Sequence, residues 1–146
     1  MADIVDAATR SRMMSRIRGK DTKPEKDVRS FLHRAGFRFR IHCKDLPGTP
    51  DIVLPRYRAV VMVHGCFWHR HPGCEFAYAP ATNEAFWNRK FRENVERDWR
   101  KQQRLRDLGW RVFVVWECET GDPHLLHRLS RRLQQCSYVE SSHHLG

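Results

Sequence analysis

The sequence predicts a single α/β domain in which helices flank a mixed central sheet. Apolar, β-branched runs typical of strands occupy residues 51–54, 59–63 and 110–116. Segments with helical apolar spacing precede, separate and follow these runs. A length of 146 residues suits one domain with one core, and the chain shows no internal repeat and no domain boundary.

A helix and then a strand are predicted at the start of the folded region. Thr22-Lys23-Pro24-Glu25 has the pattern of a capping box with proline in the first helical turn, and Gly36 supplies the stop. Residues 37–42 alternate apolar and polar side chains, which is typical of a half-buried strand. Residues 46–50 have the composition of a turn, and the next two apolar runs are close enough in sequence to form a hairpin.

A long basic helix follows the hairpin. Thr82 or Asn83 can cap its start, and Gly109 ends it. Between residues 86 and 106 it carries eight Lys or Arg against three Asp or Glu, so one face suits solvent or phosphate. The residues expected to face the core are Phe91, Val95 and Leu105.

The two ends of the chain are expected to lie outside the main domain, which spans residues 21–137. Residues 1–20, including Arg10 and Met14, are interpreted as a basic DNA-binding arm that orders on nucleic acid, although a solvated tail has the same composition. The last helix begins at Asp122-Pro123, and residues 138–146 are expected to fray.

The composition points to a polyanionic partner. The formal net charge is +10, from 27 Lys and Arg against 17 Asp and Glu, and nucleic acid is the commonest polyanion. A merely basic or ribosome-associated protein is the alternative. Five cysteines favour metal ligation or buried thiols over a disulfide framework. No apolar stretch approaches the ~20 residues of a membrane span and no signal peptide is visible, so we expect a cytoplasmic, nucleoid-associated protein.

A metal site is predicted from the cysteines and one histidine. Cys66, His71 and Cys74 form the pattern C-x4-H-x2-C, and Cys118 lies just beyond the strand at 110–116. If that strand pairs in parallel with the strand before Cys66, the four side chains complete a tetrahedral Cys3His site for structural zinc. The alternative is a set of separate buried thiols and a surface histidine. Cys43 and Cys136 are interpreted as ordinary small buried residues.

A second set of polar residues suggests phosphodiester hydrolysis. Glu25, Asp51, the main-chain carbonyls of the strand at 59–63 and His69 can meet at one edge of the sheet. A carboxylate there is a plausible Mg²⁺ ligand, and His69 can move protons, oriented by Asp98 from the long helix. Taken singly, Asp98 is more simply a solvated helix acid and Asp51 a turn-capping residue.

The motifs of this chain closely resemble those of the very short patch repair (Vsr-type) mismatch endonucleases. The resemblance covers nearly the whole chain and is most specific in His64-Gly65-Cys66-Phe67-Trp68-His69 followed by Asn94-Val95-Glu96-Arg97-Asp98. Further matching motifs are Ala8-Thr9-Arg10-Ser11, Glu25-Lys26, Leu46-Pro47-Gly48 with Pro50-Asp51, Phe86-Trp87, Leu108-Gly109-Trp110-Arg111-Val112 and Val115-Trp116-Glu117-Cys118.

The resemblance implies a fold similar to type II restriction endonucleases and a Mg²⁺-dependent nick in duplex DNA. The nick falls 5′ of the thymine in a T:G mismatch left by deamination of 5-methylcytosine, which starts very short patch repair. The family's metal carboxylate maps onto Asp51 and its main-chain metal ligand onto Val63. Its catalytic histidine maps onto His69, and its supporting acids map onto Glu25 and Asp98.

Other family features map onto the same region and onto the arm. His64 sits beside the site and is assigned an assisting role. The structural zinc maps onto Cys66, His71, Cys74 and Cys118, with a loop one residue longer here through Pro72-Gly73. Residues expected to contact DNA, the first three as aromatic wedges, are Phe67, Trp68, Trp87, Met14, Arg10 and Arg97. The alternative for these aromatic residues is a role in the core.

The expected partners are duplex DNA with a T:G mismatch, mismatch-repair proteins and a DNA polymerase, with the protein acting as a monomer. Two other interpretations remain open. A zinc-stapled DNA-binding module without catalysis uses the same basic helix and aromatic residues but needs neither Asp51 nor His69. A nuclease of the HNH type places His64 or His71 at the catalytic metal instead of Asp51.

Overall fold

A computed structural model describes residues 21–145, with side chains described for residues 21–135. The predicted arm at residues 1–20, with Arg10 and Met14, and the side chain of Cys136 lie outside the described residues. Among residues 21–145, no helix is long and apolar enough to span a membrane.

The sheet has three strands in the order β1-β2-β3. β1 (Ile52–Leu54) pairs antiparallel with β2 (Ala59–His64) across a short 3-10 turn. β2 then pairs in parallel with β3 (Arg111–Trp116), in a register that places His64 opposite Trp116. The predicted hairpin and mixed sheet are therefore confirmed, and the parallel pairing on which the predicted metal site depends is present.

Helices cover both faces of this sheet. The helix α1 (Lys23–Arg34) and the last helix, α3 (Pro123–Leu145), lie on one face, while the long helix α2 (Glu84–Asp107) connects β2 to β3. The core on the first face joins Val28 and Leu32 of α1 to Leu126, Leu129 and Leu133 of α3. The core on the second face packs Leu105 of α2 against Val60 and Met62. A small α/β domain of three layers results.

Two expectations from the sequence are wrong. The predicted strand at 37–42 is reduced to one bridge between Arg40 and Val53, because its partner β1 is only three residues long and His42 turns away with φ of 57°. Val95 is 45% exposed rather than in the core. The helix α2 reaches the sheet through Leu105 and a separate aromatic cluster through Phe91, which leaves Val95 uncovered between them.

The ends of α2 and α3 differ in detail from the sequence prediction. Asn83 precedes α2 in a left-handed conformation and its side chain makes no capping hydrogen bond. Gly109 follows α2 with φ of 92°, as a helix stop requires. The helix α3 continues past Ser137 to Leu145, so the predicted boundary at 137/138 falls inside a helix whose last side chains are outside the described residues.

Candidate functional site

A cleft of about 880 Å³ lies between the start of α1, the 46–50 turn, the end of β2 and one face of α2. The parallel pairing of β2 and β3 places the residues that follow both strands at one edge of the sheet, the usual position of active sites in α/β domains. The predicted catalytic residues that line the cleft are Glu25, Asp51, Val63, His64, His69 and Asp98.

Asp51 enters the cleft from the residue before β1. Its Oδ2 atom accepts a hydrogen bond of 2.7 Å from the main-chain N–H of Val63. Burial raises the pKa of Asp51 to about 6, against the opposing effect of that hydrogen bond, and the nearby charge of Glu25 raises it further. Since the N–H and C=O of one strand residue point to the same side, the Val63 carbonyl also faces Asp51. A carboxylate and a carbonyl oxygen are thus available together to a hard cation.

Glu25 is buried at the first turn of α1. Its Oε2 atom accepts hydrogen bonds from the N–H of Asp21 at 3.0 Å and from Arg29 at 3.2 Å. Thr22 Oγ1 accepts from the N–H of Glu25, so the residue completes a helix cap while its carboxylate lies in the cleft. Glu25 therefore takes part in a helix cap and also lines the cleft.

His69 and Asp98 form the shortest polar contact of the cleft. The Nδ1 atom of His69 lies 2.5 Å from Oδ2 of Asp98, which α2 projects toward the loop. The N–H of His69 donates to Gly65 O, and Asn94, one turn before Asp98, donates to Trp68 O. The imidazole is therefore oriented by a carboxylate, with the opposite ring nitrogen left to act on a substrate.

His64 is buried and stacks on His69, with 4.0 Å between ring centroids and 10° between ring planes. Burial lowers the pKa of His64 to about 4, and the charge of His69 lowers it further. At neutral pH the ring is uncharged, so it packs against His69 as a neutral side chain.

The structure brings the four predicted zinc ligands together. The ligand atoms of Cys66, His71, Cys74 and Cys118 all lie within 4.8 Å of one another. Nδ1 of His71 is 3.7 Å from Cys66 Sγ and 3.4 Å from Cys118 Sγ. The His71 ring stacks on Trp116 with 4.3 Å between centroids, which orients its Nδ1 toward the sulfurs.

The protonation of these thiols fits a cation site. Burial raises the pKa of Cys66, and burial together with the neighbouring thiols raises the pKa of Cys118 to about 12. These raised pKa values favour the neutral thiols of Cys66 and Cys118 when no cation is bound. Three sulfurs and one imidazole nitrogen are donors of the kind that zinc prefers, and a bound zinc ion would displace the thiol protons.

The three predicted wedge aromatics pack together in one cluster with Phe91 of α2. Trp68 and Trp87 are only 6% and 4% exposed, whereas Phe67 is half-buried. Arg70 covers this cluster, with its guanidinium 3.9 Å from the centroid of the Phe91 ring and hydrogen bonds to two carbonyls of the following loop. The burial of Trp68 and Trp87 against Phe91 agrees with the alternative that these residues have a role in the core.

Residues 2–75 match the model of the protein family described as DNA mismatch endonuclease Vsr. The chain belongs to this Vsr family. It is 50% identical over 118 residues to the DNA mismatch endonuclease Vsr of Escherichia coli (strain K12), covering 81% of this chain and 75% of the relative.

Similar proteins include two named as nicking enzymes. The type II nicking enzyme V.XorIIP of Xanthomonas oryzae pv. oryzae is 51% identical over 122 residues, which cover 84% of this chain and 89% of the relative. The type II nicking enzyme V.NmeAIP of Neisseria meningitidis is 43% identical over 138 residues, which cover 92% and 98%. Membership of the Vsr family makes the protein a DNA endonuclease, with DNA as its partner.

Of the positive side chains that line the cleft among the described residues, only Arg97 was predicted from the sequence. Those lining it are Arg29, Lys44, Lys90, Arg97 and Lys101. The sequence spacing from Asp98 could have identified the others on α2, because residues three, four and eight positions apart lie on the same face of a helix. Asn94 and Lys90 precede Asp98 at these spacings, and Lys101 follows it.

Proposed function

We propose that this Vsr-family endonuclease nicks duplex DNA 5′ of the thymine in T:G mismatches that arise from deamination of 5-methylcytosine, and so starts very short patch repair. The observation that supports this most directly is the meeting of Asp51, Val63 and the His69–Asp98 pair in one cleft lined by positive side chains. A DNA-binding module without catalysis does not need these carboxylates, and they oppose phosphate binding.

The residues present suit a magnesium-dependent mechanism. Asp51 and the Val63 carbonyl would hold Mg²⁺, which supplies charge stabilisation at the phosphoryl group and a more acidic bound water. His69 exchanges the proton of the attacking water or of the departing oxygen, with its ring held by Asp98. Glu25 adds a second buried carboxylate that accepts hydrogen bonds beside Asp51.

The geometry favours a restriction-endonuclease-like arrangement over the HNH type. In an HNH-type site His64 or His71 would bind the catalytic metal. His71 instead contacts Cys66 and Cys118. The ligand atoms of His64, His69 and Asp98 lie within 4.8 Å of one another, but Nδ1 of His69 and Oδ2 of Asp98 already contact each other. The carboxylate that precedes a hairpin strand is then the better catalytic metal ligand, which is the basis for proposing a fold similar to type II restriction endonucleases.

The Cys/His cluster is proposed to hold a structural zinc, since Cys66, His71, Cys74 and Cys118 form a closed donor set with no position for substrate. Phe67, Trp68 and Trp87 are proposed as wedges at the mismatch. Because Trp68 and Trp87 are buried, their insertion into DNA requires the aromatic cluster to open.

Further contacts with DNA are proposed for Arg97, Arg10 and Met14, the last two from the arm at residues 1–20. We propose that the protein acts as a monomer near the nucleoid and hands the nicked strand to mismatch-repair proteins and a DNA polymerase.

Nicking of matched sets of duplexes tests the proposal. End-labelled duplexes that carry T:G, T:A or C:G at one position are incubated with the protein, with and without Mg²⁺. We expect a nick 5′ of the thymine in the T:G duplex alone, only with Mg²⁺, and none with Asp51→Asn. Equal nicking of the T:A duplex would refute T:G specificity, and nicking without divalent cations would refute the role of Mg²⁺.

A further inference from the structure

Lys101 lies one turn beyond Asp98 on α2 and lines the same cleft as Asp51, His64 and His69. Its ammonium group forms no hydrogen bond or ion pair with any residue of the part of the chain that the structure describes. Another cation of the cleft, Arg29, is already engaged by two carboxylates. Lys101 is therefore a half-buried cation whose donors are available to a ligand.

The aliphatic part of Lys101 is held in place by the turn that leads into Asp51. A methyl group built on Gly48 would lie 2.9 Å from Cβ, 3.0 Å from Cγ and 3.1 Å from Cδ of Lys101. Gly48 also has φ of 75°, which side chains disfavour. The turn thus passes directly against the lysine stem, and this contact joins α2 to the segment that positions Asp51.

Lys101 shares the cleft with the two stacked histidines His64 and His69. A phosphodiester under attack gains negative charge on its non-bridging oxygens, and a preorganised cation at that point stabilises the transition state more than the ground state. The contact of the lysine stem with Gly48 and the place of Lys101 in the cleft lining both fit such a task.

We infer that Lys101 is a further catalytic residue, which donates hydrogen bonds to a non-bridging oxygen of the scissile phosphodiester. This inference rests on the proposed catalytic cleft. Lys101 forms no covalent bond during the step. The oxygen of water bonds to phosphorus, the bond from phosphorus to the departing oxygen breaks, and the departing oxygen takes up a proton supplied from elsewhere in the site.

Three variants test this role. Lys101→Met keeps a stem of similar length against Gly48 but removes the charge, and Lys101→Arg keeps the charge. Arg100→Met is the matched control, since Arg100 is exposed, adjacent in sequence and absent from the cleft lining. The measurements are the single-turnover nicking rate at saturating protein, the Kd for the same duplex without Mg²⁺, and the melting temperature.

Loss of one preorganised donor predicts that Lys101→Met lowers the single-turnover rate by about 10- to 10³-fold. We expect its Kd to match that of Arg100→Met, since each variant loses one charge. Lys101→Arg should recover most of the rate, and Arg100→Met should nick at the wild-type rate. If Lys101→Met melts early, Lys101→Gln provides a second neutral variant.

An unchanged rate in both neutral variants would overturn the inference, and so would a loss confined to Kd, which would indicate contact with a flanking phosphate. Equal slowing by Lys101→Met and Lys101→Arg would also overturn it, because packing rather than charge would then matter. The assay uses whichever duplex the wild-type protein nicks, so a failure of T:G specificity is recognised separately in the wild-type control.

Discussion

Asp51→Asn should abolish nicking and at the same time stabilise the folded protein. The asparagine keeps an oxygen that accepts the hydrogen bond from the Val63 N–H, but it removes a carboxylate from a half-buried position. The loss of activity follows because the proposed metal site loses its carboxylate ligand. The gain in stability follows from the raised pKa of Asp51, since the folded state disfavours the charged form.

The magnitude and its pH dependence come from the same shift. The pKa of Asp51 rises from 3.8 in the unfolded chain to about 6 in the folded protein. The folded protein therefore holds this proton more tightly, and it loses stability relative to the unfolded chain as pH rises from about 4 to about 6. A pKa rise of about two units corresponds to a loss of about 3 kcal/mol in the free energy of unfolding. We reduce this to about 1–3 kcal/mol for a half-buried group. For a chain of this size that is roughly 2–12 °C in Tm.

The assay compares melting curves of wild type and Asp51→Asn from pH 4 to pH 8, without Mg²⁺ and without chelator, so that any metal held by the thiols is kept. Asp51→Asn should melt higher above pH 6, and the difference should vanish near pH 4. Asp45→Asn, which removes an exposed carboxylate, is the control and should show no such trend. The reasoning fails if Asp51→Asn melts at or below wild type at pH 8.

Three further predictions concern the zinc cluster, the histidine and the wedge. Cys118→Ser should lose bound zinc in native mass spectrometry and should have a lower Tm, because zinc binding adds to folding free energy. Cys43→Ser, outside the cluster, is the control and should keep the bound zinc and the wild-type Tm. A wild-type protein that is fully stable without zinc would contradict this prediction. His69→Ala should reduce the nicking rate by ~10²–10⁴-fold with little change in Kd, and near wild-type nicking would exclude it as the acid or base. Phe67→Ala/Trp68→Ala should lose most of the preference for T:G over T:A duplexes, at ~1–3 kcal/mol per lost stack, and unchanged selectivity would return both rings to a purely structural role.

Much of the fold follows from local sequence patterns, because strand runs and helix caps are local. The parallel pairing of β2 with β3 was predictable from their apolar character and the long intervening helix, and it places Cys118 beside Cys66. The prediction of a strand at 37–42 was wrong because the length of a strand depends on its partner, and β1 has only three residues.

The parts of the site that could not be predicted depend on the tertiary position of α2. Helical spacing shows that Lys101 shares a face with Asp98, but it does not show that the turn at Gly48 packs against the stem of Lys101. Burial of Trp68 likewise requires that α2 pass over the loop. A local pattern contains neither fact, since both arise between residues distant in sequence.

From the end of β2 onward the residues alternate between the cleft and the thiol cluster, and this restricts which changes in chain length the protein tolerates. His64 and His69 line the cleft, whereas Cys66 and His71 belong to the thiol cluster. Any insertion or deletion between His64 and His71 would shift one pair relative to the other, so this segment cannot vary in length without loss of one site. After His71, only Cys74 has to reach the thiol cluster. The turn at Pro72-Gly73 is therefore the place where an inserted residue, or an engineered label, is accommodated.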